Sequence, residues 1–171
     1  MPTFDFGGVA LDLPRNIAFL DTNVLVAHQL PEDQDHDQAE AFLEAGPDYE
    51  LLVTPPVLVE ACGLLTSRSG RDAVGRLLLW LLTPGHNVRV FPAPHSPLDV
   101  STVLNAHVIW MRKFDIDYVD AYLMEAAHRL TEMLDLFPVP ICTFDTKDFF
   151  RCWRKGYSYN VFDMRTLDLV D

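Results

Sequence analysis

Cysteine is scarce in this chain, with three residues, Cys62, Cys142 and Cys152, in 171. Their odd number and the absence of any C-x-x-C spacing argue against a disulfide framework or a thiolate zinc site. They read as reduced, packed thiols. Long apolar runs are also missing. The longest, "LLLWLL" at Leu77 to Leu82, falls far short of the roughly 18 residues that a membrane span needs. The opening "MPTFDFGGVALDL" has neither the basic start nor the apolar core of a signal peptide. A soluble, cytoplasmic protein with no membrane association is expected. The six histidines are scattered, with no H-E-x-x-H and no evident ligand pair. Basic residues are few as well, 13 against 25 acids, for a net charge of −12. Residues 1–50 hold 11 of those acids and one base, Arg15. The stretch "PEDQDHDQAE" therefore reads as a solvated loop and helix start. A broadly basic surface for non-specific nucleic-acid binding is excluded for the chain as a whole.

What is present is apolar material, 49% of the chain with 11 Phe. That is enough for one domain spanning residues 1–171 with a real core. Strand-length apolar runs fall at Ile17–Leu20, Leu51–Val53, Val88–Phe91, Val139–Thr143 and Tyr159–Phe162. Helical patterns fill the gaps at Asn23–Gln29, Asp37–Glu44, Pro55–Ser67, Arg71–Leu82, Val100–Lys113 and Tyr118–Leu134. A short turn is expected near Lys147–Arg151. Alternation of this kind predicts an α/β fold, with a parallel sheet covered by helices on both faces. Ligands of such sheets sit beyond the carboxyl ends of the strands.

Acidic residues stand at those ends. Asp21 follows the first run in "NIAFLDTNVLV", and Asp145 follows the fourth in "PICTFDTKDFF". Taken singly, each is best read as a helix N-cap. Glu60 resists that explanation. In "VTPPVLVEACGLL", Thr54 is a good N-cap and Pro55 suits the first helical position. The stripe Val57, Glu60, Ala61, Leu64, Leu65 is then apolar except at Glu60, and a core-facing carboxylate wants a partner. Asp120 lies in the first turn of a helix capped by Asp117, where a capping role competes with a functional one.

Four carboxylates in one crevice would repel strongly. Two unit charges about 4 Å apart cost roughly 4 kcal/mol at an effective dielectric of about 20. Such a cluster persists when protons or a cation neutralise it. Hard oxygen donors without His or Cys select Mg²⁺ or Mn²⁺. Such a site at a strand edge suits phosphodiester hydrolysis.

These motifs carry a resemblance. "FLDTNVLV", the Glu of "VTPPVLVEACGLL", the Asp-Ala of "DYVDAYLMEAA" and "CTFDTKDF" are similar, in order, to the signature of PIN-domain ribonucleases, most nearly the VapC-type toxins. The likeness runs from about residue 17 to the last strand. It implies a three-layer α/β/α fold with a four- or five-stranded parallel sheet. It also implies a Mg²⁺- or Mn²⁺-dependent endoribonuclease, a small antitoxin partner and a homodimer. By resemblance, Asp21, Glu60, Asp120 and Asp145 form the acidic quartet. Asp117 stands where the family often has a Ser cap, so it either joins the metal shell or simply caps. Asp148 matches the Asp-Phe after the last acid. Thr22 and Thr143 match a hydroxyl that steadies the site, and Asn23 is placed to hold Asp21.

A local basic patch, Lys147, Arg151, Arg154 and Lys155, is interleaved with Phe and Trp153 in "KDFFRCWRK". It reads equally as an RNA-contacting surface and as a solvated helix with its aromatics turned inward. "DIDYV" at Asp115–Val119 fits the D-x-D-x-[TV] pattern of haloacid-dehalogenase-type phosphatases. That motif belongs on a strand end, whereas here it opens a helix. The alternative outside enzymology is a PIN fold that binds or regulates RNA without hydrolysis.

Overall fold

The computed structural model describes residues 3–6, 9–12, 16–45, 49–91, 103–134 and 138–169. Before residue 13, and at His107, Met133 and Leu134, only the backbone is described. The chain opens with β1 (Thr3–Phe6) and β2 (Val9–Asp12), paired antiparallel. Then follow β3 (Ile17–Leu20), α1 (Thr22–Gln29), α2 (His36–Glu44), β4 (Glu50–Val53), α3 (Pro55–Ser69), α4 (Arg71–Leu82) and β5 (Val88–Val90). A π-wound α5 (Ala106–Met111) runs into α6 (Arg112–Phe114). The rest is α7 (Tyr118–Leu134), β6 (Pro140–Thr143), α8 (Thr146–Trp153), β7 (Asn160–Asp163) and β8 (Asp168–Leu169).

The main sheet has the order β5-β4-β3-β6-β7-β8. Its first five strands are parallel, as expected, within an α/β/α layering, and β8 adds an antiparallel edge. The middle strands are buried on both faces, with Ile17 to Leu20 and Pro140 to Thr143 buried without exception. That is why they read as continuous apolar runs rather than alternating ones. Strand order reverses between β3 and β6, where successive units run outward in opposite directions. Such a switch point opens a crevice at the carboxyl ends. Leu20 pairs with Cys142 across this joint, so the residues after both strands emerge side by side.

Several expectations are corrected. The β1–β2 pair and β8 have no counterpart among the expected strands. The helix expected over Val100–Lys113 begins outside the described residues at 100–102. Within them it is wound as a π-helix from Ala106, with the Trp110 indole N–H donating to buried Glu125 at 2.8 Å. Thr54 precedes α3 in extended conformation, yet its hydroxyl caps nothing. That oxygen is buried and, among the described residues, has no hydrogen-bond partner. Asp115 adopts a left-handed conformation (φ 55°) where α6 ends. "DIDYV" is thus a joint between helices, not a strand end. Among the described residues no helix is long and apolar enough to cross a membrane.

Candidate active site

Asp21 leaves β3 directly above the switch point, and its backbone N–H donates to the Cys142 carbonyl at 3.1 Å. Its side chain is nearly fully buried, at 4% exposure. One carboxylate oxygen accepts the Thr22 amide at 2.6 Å, which makes Asp21 the N-cap of α1. The other accepts the Thr143 hydroxyl and the Asn23 side-chain amide, each at 2.7 Å. Asn23 also donates to Thr143 Oγ1 at 2.9 Å, and its own carbonyl accepts the Phe144 amide at 3.1 Å. These bonds clamp the start of α1 to the end of β6. Cap and buried acid are one residue, so the two readings of Asp21 do not exclude each other.

Thr143 extends the clamp to the next acid by accepting the Asp145 amide at 2.9 Å. Asp145 caps α8 through the Lys147 amide at 3.2 Å, and its carboxylate is exposed. Glu60 comes from α3. Its stripe companions Val57, Ala61 and Leu65 are buried, whereas Glu60 is half-buried at the stripe's margin. There it accepts the Thr22 hydroxyl at 2.6 Å. Asp120 sits in the first turn of α7, its amide donating to Asp117 at 3.0 Å. Asp117 is exposed and does cap this helix.

Asp21, Glu60, Asp120 and Asp145 all line one cleft of about 570 Å³, together with Thr22 and Asn23. The acids feel one another. Burial, above all, pushes the Asp21 carboxyl up to about 6, and the charges of Glu60 and Asp117 add to it against the opposing hydrogen bonds of Thr143 and Thr22. Asp120 is pushed up to about 8, chiefly by burial, then by Asp21, Asp117, Glu60 and Asp148. Asp117 and Asp148 therefore act on the cluster through their charge, although neither lines the cleft. Among the described residues, no three His, Cys, Asp or Glu side chains converge as a ready metal-holding group. The four acids line a common space without closing on a point.

The basic patch lies on α8 and the two residues after it, outside the cleft lining. Arg151 donates to the Phe114 carbonyl at 2.8 Å and pairs with Asp148 at 3.4 Å. Arg154 lies 4.3 Å over the Phe150 ring, which stacks on Trp153. Phe149 is turned inward.

The sequence reading missed part of the lining, namely Glu32, Asp33, Gln34 and Asp35 from the loop between α1 and α2, and Arg68 from the last turn of α3. Loop charges give no periodic signal. Arg68 could have been found, because it stands eight residues after Glu60 on the same helical face.

A model of the PIN domain matches residues 18–151. No curated protein matches the chain. Among solved structures, the chain is similar to VapC20 of Mycobacterium tuberculosis, described as a sarcin-ricin loop cleaving toxin. That likeness has a TM-score of 0.58 at 19% identity over 82% of this chain and 95% of VapC20. It is also similar to FitAcB from Neisseria gonorrhoeae, with a TM-score of 0.55 at 16% identity over 88% of this chain and 100% of that one.

Proposed function

The chain belongs to the PIN-domain family, and on that footing we propose that it is a metal-dependent endoribonuclease, the toxin of a toxin–antitoxin pair. The supporting observation is that four acids from four separate elements line one cleft at the switch point of the sheet. Helix capping explains Asp21 and Asp145 singly, but it does not explain why Glu60 and Asp120 share their space. That VapC20 is described as a sarcin-ricin loop cleaving toxin favours RNA as the substrate class.

Mg²⁺ or Mn²⁺ fits this donor set on chemical grounds. The cleft lining offers carboxylate oxygens and no His or Cys. The elevated carboxyls of Asp21 and Asp120 mark acids that a cation would relieve of repulsion. Asp21, Glu60, Asp120 and Asp145 would hold the ion, with Asp117 a fifth candidate and Asp148 supporting from behind. Once bound, such an ion lowers the pKa of its water and offsets phosphate charge. Thr22, Asn23 and Thr143 fix the carboxylates of Asp21 and Glu60 by hydrogen bonds, so that the acids need not reorganise when substrate arrives.

Val59, Leu79 and Leu82 leave large apolar side chains exposed on α3 and α4, at 73%, 69% and 80%. That exposure supports a protein partner, an antitoxin or a second copy of the chain. The test of the nuclease reading is incubation of total RNA with purified protein in Mg²⁺, Mn²⁺ or EDTA. Cleavage in either ion, abolished by EDTA, is expected. RNA binding without cleavage in either ion would favour the non-hydrolytic module instead.

A further inference from the structure

We propose that Arg68 contacts a phosphate of the bound RNA strand, and that Asp33 holds its guanidinium in competition with that phosphate. The proposal rests on the ribonuclease reading above. Glu60, Leu64 and Arg68 all line the cleft and share one face of α3 at four-residue spacing. With a helical rise of about 1.5 Å per residue, Arg68 stands roughly 12 Å along the axis from Glu60. The helix thus offers the cleft a carboxylate, then apolar surface, then a cation. An RNA strand with its scissile phosphate at the Glu60 end would lay sugar and base over the apolar stretch. A further phosphate would then reach the guanidinium.

Charge makes this position decisive. Seven carboxylates line the cleft, and among its described lining residues Arg68 is the only basic one. Outside the lining, Arg165 pairs with Asp35 at 3.0 Å; among those lining residues a polyanion entering the cleft meets one side-chain cation. That cation is engaged, but weakly: Arg68 reaches Asp33 at 3.4 Å, and its side chain is 52% exposed. Exposed ion pairs of this kind contribute little. A phosphate accepts two parallel N–H bonds from a guanidinium and is the better partner. Asp33 loses little on release, since its other oxygen accepts the Asp35 amide at 3.1 Å within the loop.

The test is fluorescence anisotropy of a fluorescein-labelled, mixed-sequence, single-stranded oligoribonucleotide against a salt series. Full-length protein is used in EDTA, which withholds the cation from cleavage. Four proteins are compared, namely wild type, Arg68→Gln, Asp33→Asn and the double variant, each checked for an unchanged melting profile, with Arg68→Lys as a fifth if Arg68→Gln melts early. Arg68→Gln should weaken binding several-fold and flatten the dependence of log K on log salt by about 0.7, one phosphate contact on a single strand. Asp33→Asn should tighten binding, and that gain should vanish in the Arg68→Gln background. A gain that persists there would mean simple removal of negative charge and would overturn the proposal, as would an Arg68→Gln protein that binds like wild type. If wild type cleaves RNA with Mg²⁺ or Mn²⁺ while Arg68→Gln binds normally, this proposal alone falls. If wild type neither binds nor cleaves RNA, the ribonuclease reading falls with it.

Discussion

The hydroxyl of Thr22 donates to the carboxylate of Glu60 at 2.6 Å across 38 residues of sequence. This bond joins the first turn of α1 to the middle of α3 and fixes where Glu60 stands in the cleft. A hydrogen bond to a charged acceptor contributes about 1.5–3 kcal/mol. If that energy positions Glu60 for catalysis, Thr22→Val should lower kcat for RNA cleavage by about tenfold or more. Thr22→Ser, which keeps the donor, should stay near wild type. Equal losses in both variants would show that the hydroxyl does not act through Glu60.

The elevated carboxyl of Asp120 makes metal-free stability depend on pH. Its folded pKa of about 8 exceeds the ordinary 3.8, so between those values the native state binds more protons than the unfolded chain. Stability then falls as pH rises through that window. Wild type in EDTA should melt progressively earlier between about pH 5 and about pH 9, and Asp120→Asn should melt later than wild type at the alkaline end. An Asp120→Asn protein with the same pH slope as wild type would place the elevated group elsewhere.

Glu125 is 2% exposed and accepts three side-chain donors, Trp110 at 2.8 Å, Asn105 at 3.0 Å and Arg129 at 2.6 Å. It ties the π-wound α5 to α7, the helix that presents Asp120. Removing the acceptor strands the buried Trp110 indole N–H and takes one partner from Asn105 and from Arg129. Glu125→Ala should therefore cost about 1–3 kcal/mol in urea unfolding. A loss below about 1 kcal/mol would show the network to be dispensable.

Thr54 buries a hydroxyl that bonds to nothing among the described residues. Thr54→Val keeps the shape and removes the stranded polar atom. Unfolding measurements should show a gain of up to about 1 kcal/mol. A clear loss would mean that the hydroxyl is satisfied, for instance by a buried water.

Much of this was legible in the sequence, because buried parallel strands are short unbroken apolar runs and their ends hold the acids. β3 matches its apolar run to the residue, and β4, β6 and β7 match theirs to within one. The cap geometry of Asp21, Asp117 and Asp145 followed from residue type and position. What escaped depended on other elements. β8 is two residues long with both side chains exposed, so it has no apolar signature. The β1–β2 pair carries only Gly7-Gly8, a two-residue turn pattern, as its local sign in the sequence. The π-winding of α5 coincides with the bond between Trp110 and Glu125, a contact invisible to local periodicity. Glu60 sits at the stripe's margin because the cleft, not the core, receives it. The basic patch on α8 is tied to Phe114, Asp148 and Phe150, whereas the cleft's own cation comes from α3.

If the acidic quartet is a divalent-metal site, thermal melts with and without metal will report it. Mg²⁺ or Mn²⁺ at about 100 times its dissociation constant should stabilise wild type by roughly 2.7 kcal/mol. At this chain length, each 1 kcal/mol raises Tm by about 2–4 °C. Asp21→Asn and Asp21→Ala, each lacking a ligand, should respond far less to the same ion. Asp21→Ala also loses the cap and the Thr143 and Asn23 bonds, so the comparison is each protein's response to metal rather than its Tm in EDTA. A wild type indifferent to both ions, or an Asp21→Asn protein stabilised as much as wild type, would contradict the account.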